Sequence, residues 1–328
     1  MLTPILFITF NRPEHTRMVL AEILKQEPQD LYVCQDGARE GNENDRIKCQ
    51  GVRDVINELT SSYAVAHTDF VLHTLYQEKN LGCGPGPAAG ISWFFEHVEQ
   101  GIIIEDDAIP HPDFFGYAEE LLIKFRDDVE VRAIGSMAFK TTSYGDGSYY
   151  FSMMNRTFCA WATWRRAWRD FDLYHRSITR RQLNDALRWY KCPLRMREYW
   201  CERLEEIQLD AYHHSSWDQQ FWMSIWLHHG KGIMPNVNLC SNIGFDEEAT
   251  HTKNKDNVIA NAPMQGILPL KHPSDMRIQH SADKNFQQNY FEPWNYGVEG
   301  LKRLPFRLNK RIKRLVGHKG SWFRNPNK

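Results

Sequence analysis

The alternation of short apolar runs with helical segments is the feature that most constrains how this chain folds. Four apolar runs occupy residues 4–10, 30–37, 70–76 and 101–107. Each is short enough for a buried strand, and the segments between them carry apolar residues at helical spacing. Asn11 can cap the first of these helices. A β-α-β-α order predicts an α/β protein with a mostly parallel central sheet and helices on both of its faces.

The remainder of the chain is less regular. Residues 112–125, 177–210 and 215–230 have the pattern of helices, and Ser216 is expected to cap the last of them. Residues 131–137 and 232–245 read as strands with connecting loops. No repeat or low-complexity linker interrupts the chain, which predicts one large domain followed by a tail.

Composition and cysteine usage narrow the class of protein. The chain has 328 residues, of which 42% are hydrophobic and 25% charged, as in soluble globular proteins. Its seven cysteines are widely spaced and form no zinc-ribbon or redox motif, so free thiols in a reducing compartment are expected. The apolar N-terminus lacks a basic region and a cleavage site, and no segment reaches the length of a membrane span. We therefore expect a cytoplasmic protein.

Three carboxylates follow the fourth apolar run directly. Glu105, Asp106 and Asp107 come after three consecutive isoleucines, at the end of a predicted parallel strand where α/β proteins bind ligands. Carboxylates ~4 Å apart repel by about 4 kcal/mol at an effective dielectric near 20, and a divalent cation would relieve that repulsion. Their oxygen ligands suit Mg²⁺ or Mn²⁺. The alternative is that the acids cap the next helix or face water.

The order of these motifs resembles a known family. The chain is similar in its motif order to the nucleotide-sugar glycosyltransferases of the GT-A fold. That order is strand–FNRP–helix, strand–QDG, NLG turn–helix and strand–EDD. The EDD form of their DxD motif resembles the N-acetylglucosaminyltransferase I branch and related bacterial capsule or lipopolysaccharide transferases. The resemblance implies a Rossmann-like sheet and a transferase domain over residues 1–300. Residues 1–110 would bind the nucleotide and residues 111–300 the acceptor.

The resemblance also assigns donor binding to three places at the strand ends. The end of the first strand would hold the nucleoside, the acid after the second strand would contact the nucleobase, usually uracil, and the NLG turn would lie beside ribose and pyrophosphate. The residues at these places are Phe10, Asn11, Arg12, Asp36, Asn80, Leu81 and Gly82. For Asp36, a plain Asp-Gly turn is the open alternative.

The acidic motif and the NLG turn would make the remaining contacts to the sugar-nucleotide donor and its metal. Glu105 and Asp106 would touch ribose or bound water, and Asp107 would ligate the metal. Many relatives carry a basic residue after the turn, whereas this chain has CGPGPAAG. Phosphate contacts there would have to come from backbone N–H groups at the start of the helix.

Two downstream residues complete the implied site. The family's general base, worth about 10²–10⁴-fold in rate, commonly lies at the start of a helix after the acidic strand, which matches Asp218. The alternative is that Asp218 only complements the helix dipole, an effect of about 0.3–1 kcal/mol. His251 matches the histidine that completes the metal shell in many GT-A enzymes, or is a solvent-exposed loop residue.

Aromatic and basic residues suggest where an acceptor binds. Trp161 and Trp164, three apart and followed by Trp168, would share one helical face if their segment is helical. Together with Trp217 they either pack in the core or form a platform for acceptor sugar rings. Residues 301–328 contain ten Lys or Arg and no Asp or Glu, with leucines along one side. Such a tail could lie on the inner membrane surface near a lipid-linked acceptor, or pack on the body.

These observations favour a metal-dependent glycosyltransferase. It would move a hexosyl or N-acetylhexosaminyl group from a nucleotide-diphosphate donor, with a UDP-sugar favoured, to a saccharide or lipid-linked saccharide, with inversion. No nucleic-acid partner is expected. Two alternatives remain: a non-catalytic carbohydrate-binding protein on the same scaffold, and a sugar nucleotidyltransferase. The second usually has a glycine-rich basic signature near the first strand, which FNRPEHTR does not supply.

Overall fold

The structure is a computed structural model that describes residues 3–138, 143–209, 216–244 and 262–291. The chain divides into two compact units, Met1–His280 and Ser281–Lys328. Two predictions lie outside the described residues: the metal ligand His251 and the amphipathic tail at 301–328. In the described part, no helix is both long and apolar enough to cross a membrane.

The first unit alternates strands and helices up to β4, as the sequence predicts, and is less regular after it. The strands are β1 Ile5–Thr9, β2 Asp30–Gln35, β3 Val71–Tyr76, β4 Gln100–Glu105, β5 Ala108–Pro110, β6 Val131–Gly135, β7 Tyr149–Ser152, β8 Ala160–Trp164, β9 Lys231–Pro235 and β10 Cys240–Asn242. The helices are α1 Pro13–Leu24, α2 Glu43–Ala66, α3 Pro85–His97, α4 Pro112–Lys124, α5 Arg165–Trp168, α6 Arg180–Trp189, α7 Leu194–Gln208 and α8 Asp218–Leu227. Helix α9, His280–Phe286, leads into the second unit and continues as a π-helical turn, Gln287–Phe291.

An eight-stranded sheet forms the centre, in the order β3-β2-β1-β4-β8-β6-β9-β7. Strands β1 to β4 run parallel, and β8 joins β4 in antiparallel orientation. A separate antiparallel pair joins β5 to β10. The predicted α/β class with a mostly parallel sheet is therefore confirmed. The strand order reverses between β1 and β4, so a crevice opens at the carboxyl ends of these two strands.

Three of the four apolar runs, β1, β2 and β4, are largely buried, whereas β3 lies at the edge of the sheet and has no buried residue. Every residue of β1 is buried, and Ile102, Ile103 and Ile104 of β4 are fully buried. Buried parallel strands carry continuous rather than alternating apolar residues. Helices α1 and α3 add Val19, Leu20 and Phe94 to the core. All seven cysteines are free thiols, as predicted.

Two capping predictions are wrong, and the condition for a shared helical face of Trp161, Trp164 and Trp168 is not met. Asn11 does not cap α1, because Arg12 is the N-cap residue and the Asn11 amide donates to an Asp45 carboxylate oxygen at 2.8 Å. Ser216 does not cap α8, whose N-cap is Trp217 and lacks a side-chain cap bond. Residues 160–168 are not one helix, because β8 pairs with β4 and only the short α5 follows.

Candidate functional site

The site is the crevice between the ends of β1 and β4. The Phe10 N–H donates to Asp106 Oδ2 at 3.2 Å. Arg12 Nη1 lies 3.3 Å from Asp107 Oδ2 and 3.7 Å from Asp106 Oδ1. The fold therefore brings the end of the first strand and the acidic motif together, as the sequence predicts. The ion pair from Arg12 to both aspartates was not predicted, because the two segments are about 95 residues apart.

Burial and mutual repulsion dominate the electrostatics of the acidic motif. Burial raises the pKa of Glu105 well above its usual range, and the negative charges of Asp107, Asp218 and Asp106 raise it further. Burial also raises the pKa of Asp106 to about 7, although the Arg12 guanidinium opposes the shift. Among the described residues, Arg12 is the cation that pairs with the motif, and one positive charge does not balance three carboxylates. Additional positive charge in the crevice would favour their ionised forms.

Asp107 has the features expected of a cation ligand. Its Oδ1 is buried and makes no hydrogen bond to any described residue. Buried polar atoms normally have partners, so a bare carboxylate oxygen is unusual. The described ranges contain no group of three or more His, Cys, Asp or Glu residues arranged to hold a metal. The chemistry of the bare oxygen fits a hard divalent ion. The other predicted ligand, His251, lies outside the described residues.

Backbone from a distant segment closes over Asp107. The Ile243 N–H donates to the Asp107 carbonyl oxygen at 2.8 Å. A β-carbon on Gly244 would overlap the Asp107 side chain, so a larger residue there would force the carboxylate or the segment to shift. The sequence analysis missed Gly244, because nothing in its local pattern marks a close approach to a residue 137 positions earlier.

The end of β4 is supported by Cys159 and Asn242, which the sequence analysis also missed. The Glu105 N–H donates to the Cys159 carbonyl oxygen at 2.8 Å, and the Asn242 amide approaches Cys159 Sγ at 3.2 Å. Cys159 has φ +64°, a backbone conformation that non-glycine residues rarely adopt. Strain of this kind is common beside functional sites.

A chain of packed tryptophans brings Asp218 to the crevice. Trp161 of β8 lies in register with Ile103, two residues before the acidic motif. Its ring stacks on Trp217 with a centroid distance of 5.3 Å, and Asp218 follows as the first residue of α8. The negative charge of Asp218 is one of the causes that raise the pKa of Glu105, after burial and the charge of Asp107. The Ser216 hydroxyl donates to Asp218 Oδ1 and orients it.

Asp36 lies at the end of β2, but its carboxylate is already engaged. Oδ1 accepts from the backbone N–H groups of Gly37 and Leu81 at 2.9 and 2.8 Å. Oδ2 accepts from Gly82 N–H and from the Asn80 amide, both at 3.0 Å. Four bonds fill the accepting capacity of a carboxylate. In this structure Asp36 holds the turn in place, and its contact with a nucleobase stays a prediction.

The same bonds affect the predicted phosphate site. Two N–H groups of the turn, from Leu81 and Gly82, point at Asp36 rather than outward. Gly82 adopts φ +86°, which explains why glycine occupies that position. Donor phosphate contacts from these two N–H groups would require the turn to change conformation.

The tryptophan platform is wrong for two of its three residues. Trp161 is fully buried and Trp164 is 2% exposed, so neither ring offers a face to a ligand. They also point to opposite faces of β8: the Trp161 ring contacts Trp217, whereas the Trp164 indole donates to the Leu122 carbonyl under α4. Trp217 is mostly buried beside Asp218, and acceptor contact by its remaining edge stays a prediction.

Comparisons with known proteins find partial structural similarity. No protein-family model and no curated protein sequence matches the chain. TarS from S. aureus shares a TM-score of 0.35 and 12% identity, over 53% of this chain and 51% of that structure. The mannosyltransferase PcManGT from Pyrobaculum calidifontis, in complex with GDP-Man and Mn²⁺, has a TM-score of 0.35 and 15% identity. The match covers 53% of this chain and 48% of that structure. An apo UDP-glucose pyrophosphorylase has a TM-score of 0.39 and 9% identity, and the match covers 72% of this chain and 90% of that structure.

The chain spans about half the length of the TarS and mannosyltransferase structures. A likeness this partial carries no argument about activity. Any inference about chemistry therefore depends on the residues of the crevice itself.

Proposed function

We propose that this protein is a metal-dependent glycosyltransferase that uses a nucleotide-diphosphate sugar, with a UDP-sugar as the favoured donor. The observation that carries the proposal is the meeting of three distant segments in one crevice. Arg12 contacts the acidic motif through Asp106 and Asp107, and Asp218 lies within electrostatic reach of Glu105. The crevice lies where the strand order reverses, the usual ligand site in open α/β sheets.

Asp218 is proposed as the general base. The acceptor hydroxyl oxygen forms a bond to the anomeric carbon, and Asp218 takes the hydroxyl proton. The bond from that carbon to the diphosphate breaks, and the diphosphate oxygen keeps the electron pair. Attack opposite the leaving group inverts the configuration. Ser216 and the helix start hold the Asp218 carboxylate in position, and the helix dipole favours its ionised form.

Asp107 is proposed as the metal ligand, with His251 as a second one. A divalent ion bound there would offset the negative charge that develops on the departing diphosphate. Arg12 is the other cation of the crevice. It pairs with Asp106 and Asp107 and so lies where a diphosphate would arrive. The acceptor is proposed to be a saccharide or lipid-linked saccharide, and tail contact with a membrane remains part of the proposal.

A thermal-shift screen tests donor binding. Full-length protein is melted with nucleoside diphosphates and sugar nucleotides, each with Mn²⁺ and with EDTA. A ligand present at a hundred times its dissociation constant stabilises the folded state by about 2.7 kcal/mol. We expect a UDP ligand to raise the melting temperature only with metal, and Asp107→Ala to remove that shift. The exposed Asp127→Asn is the matched control and should respond like wild type.

A product assay separates the two enzyme classes. A glycosyltransferase releases nucleoside diphosphate from a sugar nucleotide when an acceptor is present. A sugar nucleotidyltransferase instead makes a sugar nucleotide and pyrophosphate from a sugar phosphate and a nucleoside triphosphate. Turnover of the second kind would replace our proposal. A protein that no nucleotide stabilises under any condition would refute donor binding altogether.

A further inference from the structure

A second cleft lies at the opposite end of α8 from Asp218. It has a volume of about 730 Å³ and is bordered by residues 170–178, one face of α6 and the C-terminal end of α8. That volume is within the range of small-molecule sites. Helix α8 has ten residues and spans about 15 Å, so the cleft is separate from the crevice.

Helix α6 turns a polar and aromatic face to the cleft. Gln182, Asp185 and Trp189 recur at helical spacing and all line it. Trp189 is 55% exposed, and it is the one aromatic residue among the exposed large hydrophobic side chains of the described ranges. Its ring lies 4.6 Å from that of His229, at an interplanar angle of 34°. An aromatic ring is thus held open at the rim beside hydrogen-bonding groups.

The backbone around the cleft is unusually constrained. Five non-glycine residues in the described ranges have positive φ, and two of them, His175 and His229, line this cleft. His229 follows the C-terminal end of α8, where glycine is the common choice. The histidine at this position packs its ring against Trp189, a contact that glycine could not make.

Two of the three aspartates at the cleft have arginine partners, and the third accepts from a backbone N–H. Arg132 Nη1 lies 2.6 Å from an Asp170 carboxylate oxygen. Asp185 is 3.7 Å from Arg181, and Asp172 accepts a hydrogen bond from the Tyr174 N–H at 2.9 Å. These carboxylates therefore keep accepting capacity for neutral donors without presenting a strong net charge.

The lining excludes other classes of ligand. Its described lining includes three aspartates and no Lys or Arg, so it offers no cation to pair with a phosphate group or a nucleotide. No arrangement of three or more metal-binding side chains is found among the described residues. An open aromatic face flanked by carboxylate, amide, hydroxyl and imidazole groups instead matches a polyhydroxylated ligand with an apolar ring face.

We propose that this cleft binds a segment of a saccharide chain, with one sugar ring stacked on Trp189. Its hydroxyls would bond to the Asp185 carboxylate and to the Nε2 amino group of Gln182, whose Oε1 already accepts from Thr179 in the capping box of α6. Saccharide binding here does not depend on what the crevice catalyses. If the crevice does transfer sugars, the cleft would hold a distant part of the growing or accepting chain, at the other end of α8 from Asp218.

The test is binding of labelled full-length protein to an array of immobilised oligosaccharides. Wild type is expected to bind at least one class of glycan. Trp189→Ala should weaken that binding about tenfold, the factor expected for one aromatic contact, and Trp189→Phe should largely keep it. Ile123→Ala, an equally exposed apolar side chain on α4, is the matched control and should bind like wild type.

Three results would overturn the proposal. They are an array without any bound glycan, equal binding by Trp189→Ala and wild type, and binding that disappears in about 0.5 M salt. The last would indicate a cationic ligand attracted by the aspartates.

Two further measurements separate this cleft from the crevice. Trp189→Ala should keep any metal-dependent nucleotide shift, and Asp218→Asn should keep glycan binding. Loss of both properties in either variant would mean that the cleft and the crevice are one site. Because Trp189 is exposed, its replacement should leave the melting temperature of the free protein close to that of wild type.

Discussion

Asp36 and Asp107 occupy equivalent places, since each lies just beyond the carboxyl end of a parallel strand. Their surroundings differ. Asp36 accepts four hydrogen bonds from its own turn and from residues 80–82. Asp107 keeps a buried oxygen that no described residue bonds, beside Arg12 and close to Glu105. The first arrangement stabilises the fold, and the second costs stability unless a ligand completes it.

The comparison shows that position at a strand end does not by itself make a carboxylate functional. What distinguishes the two aspartates is the number of donors that reach each one. Burial raises the pKa of Asp36, and the N–H groups of Leu81, Gly82 and Gly37 act in the opposite direction. At Glu105, by contrast, the negative charges of three neighbouring carboxylates raise the pKa in the same direction as burial does.

The largest expected effect is at the proposed base. Asp218→Asn keeps the shape of the side chain but cannot take a proton, so turnover should fall by about 10²–10⁴-fold. Metal-dependent nucleotide binding should be unchanged, because Asp218 does not contact the donor in our proposal. Steady-state rates of nucleoside diphosphate release measure the first effect, and thermal shift measures the second. Full turnover by this variant would remove Asp218 from the mechanism.

Asp107→Asn should separate binding from stability. The neutral side chain is a poorer metal ligand, so the metal-dependent nucleotide shift should shrink or vanish. The melting temperature of the free protein should stay close to wild type or rise, because one like charge leaves the surroundings of Glu105. Titration calorimetry with Mn²⁺ and UDP measures the first property. A large loss of stability with unchanged binding would assign Asp107 the structural role that we give to Asp36.

Asp36→Asn should give the opposite pattern. The amide would set an N–H₂ group against N–H donors of the turn, and each lost bond to a charged group is worth about 1.5–3 kcal/mol. We expect the free energy of unfolding in urea to fall by about that amount, while residual nucleotide binding below the new melting temperature persists. Wild-type stability combined with lost nucleotide binding would instead support the nucleobase contact predicted from the resemblance.

Gly244→Ala is the smallest and most local change. Its added methyl group would press on the Asp107 carboxylate without altering any charge. Metal-dependent nucleotide affinity should fall between the values of wild type and Asp107→Asn, with only a modest change in melting temperature. Unchanged affinity would mean that the segment after β10 moves aside and does not position Asp107.

Much of the fold followed from local patterns. Strands β1 to β4 and helices α1 to α4 were predicted because burial and periodicity are properties of neighbouring residues. The acidic motif and Arg12 could be placed at one edge of the sheet, since the carboxyl ends of parallel strands share that edge. Asp218 was identified through a family resemblance, because an aspartate in the first turn of a helix is common for reasons unrelated to catalysis.

The sequence by itself determined the class of fold and the edge of the sheet where carboxylates gather, because short-range apolar spacing decides which residues become strands. Only the tertiary structure decided what each side chain does there. It filled the bonds of Asp36, left one oxygen of Asp107 bare, buried Trp161 and Trp164, and exposed Trp189. These outcomes depend on segments far apart in the chain, and a hydrogen bond or a burial between such segments leaves no periodic trace in the sequence.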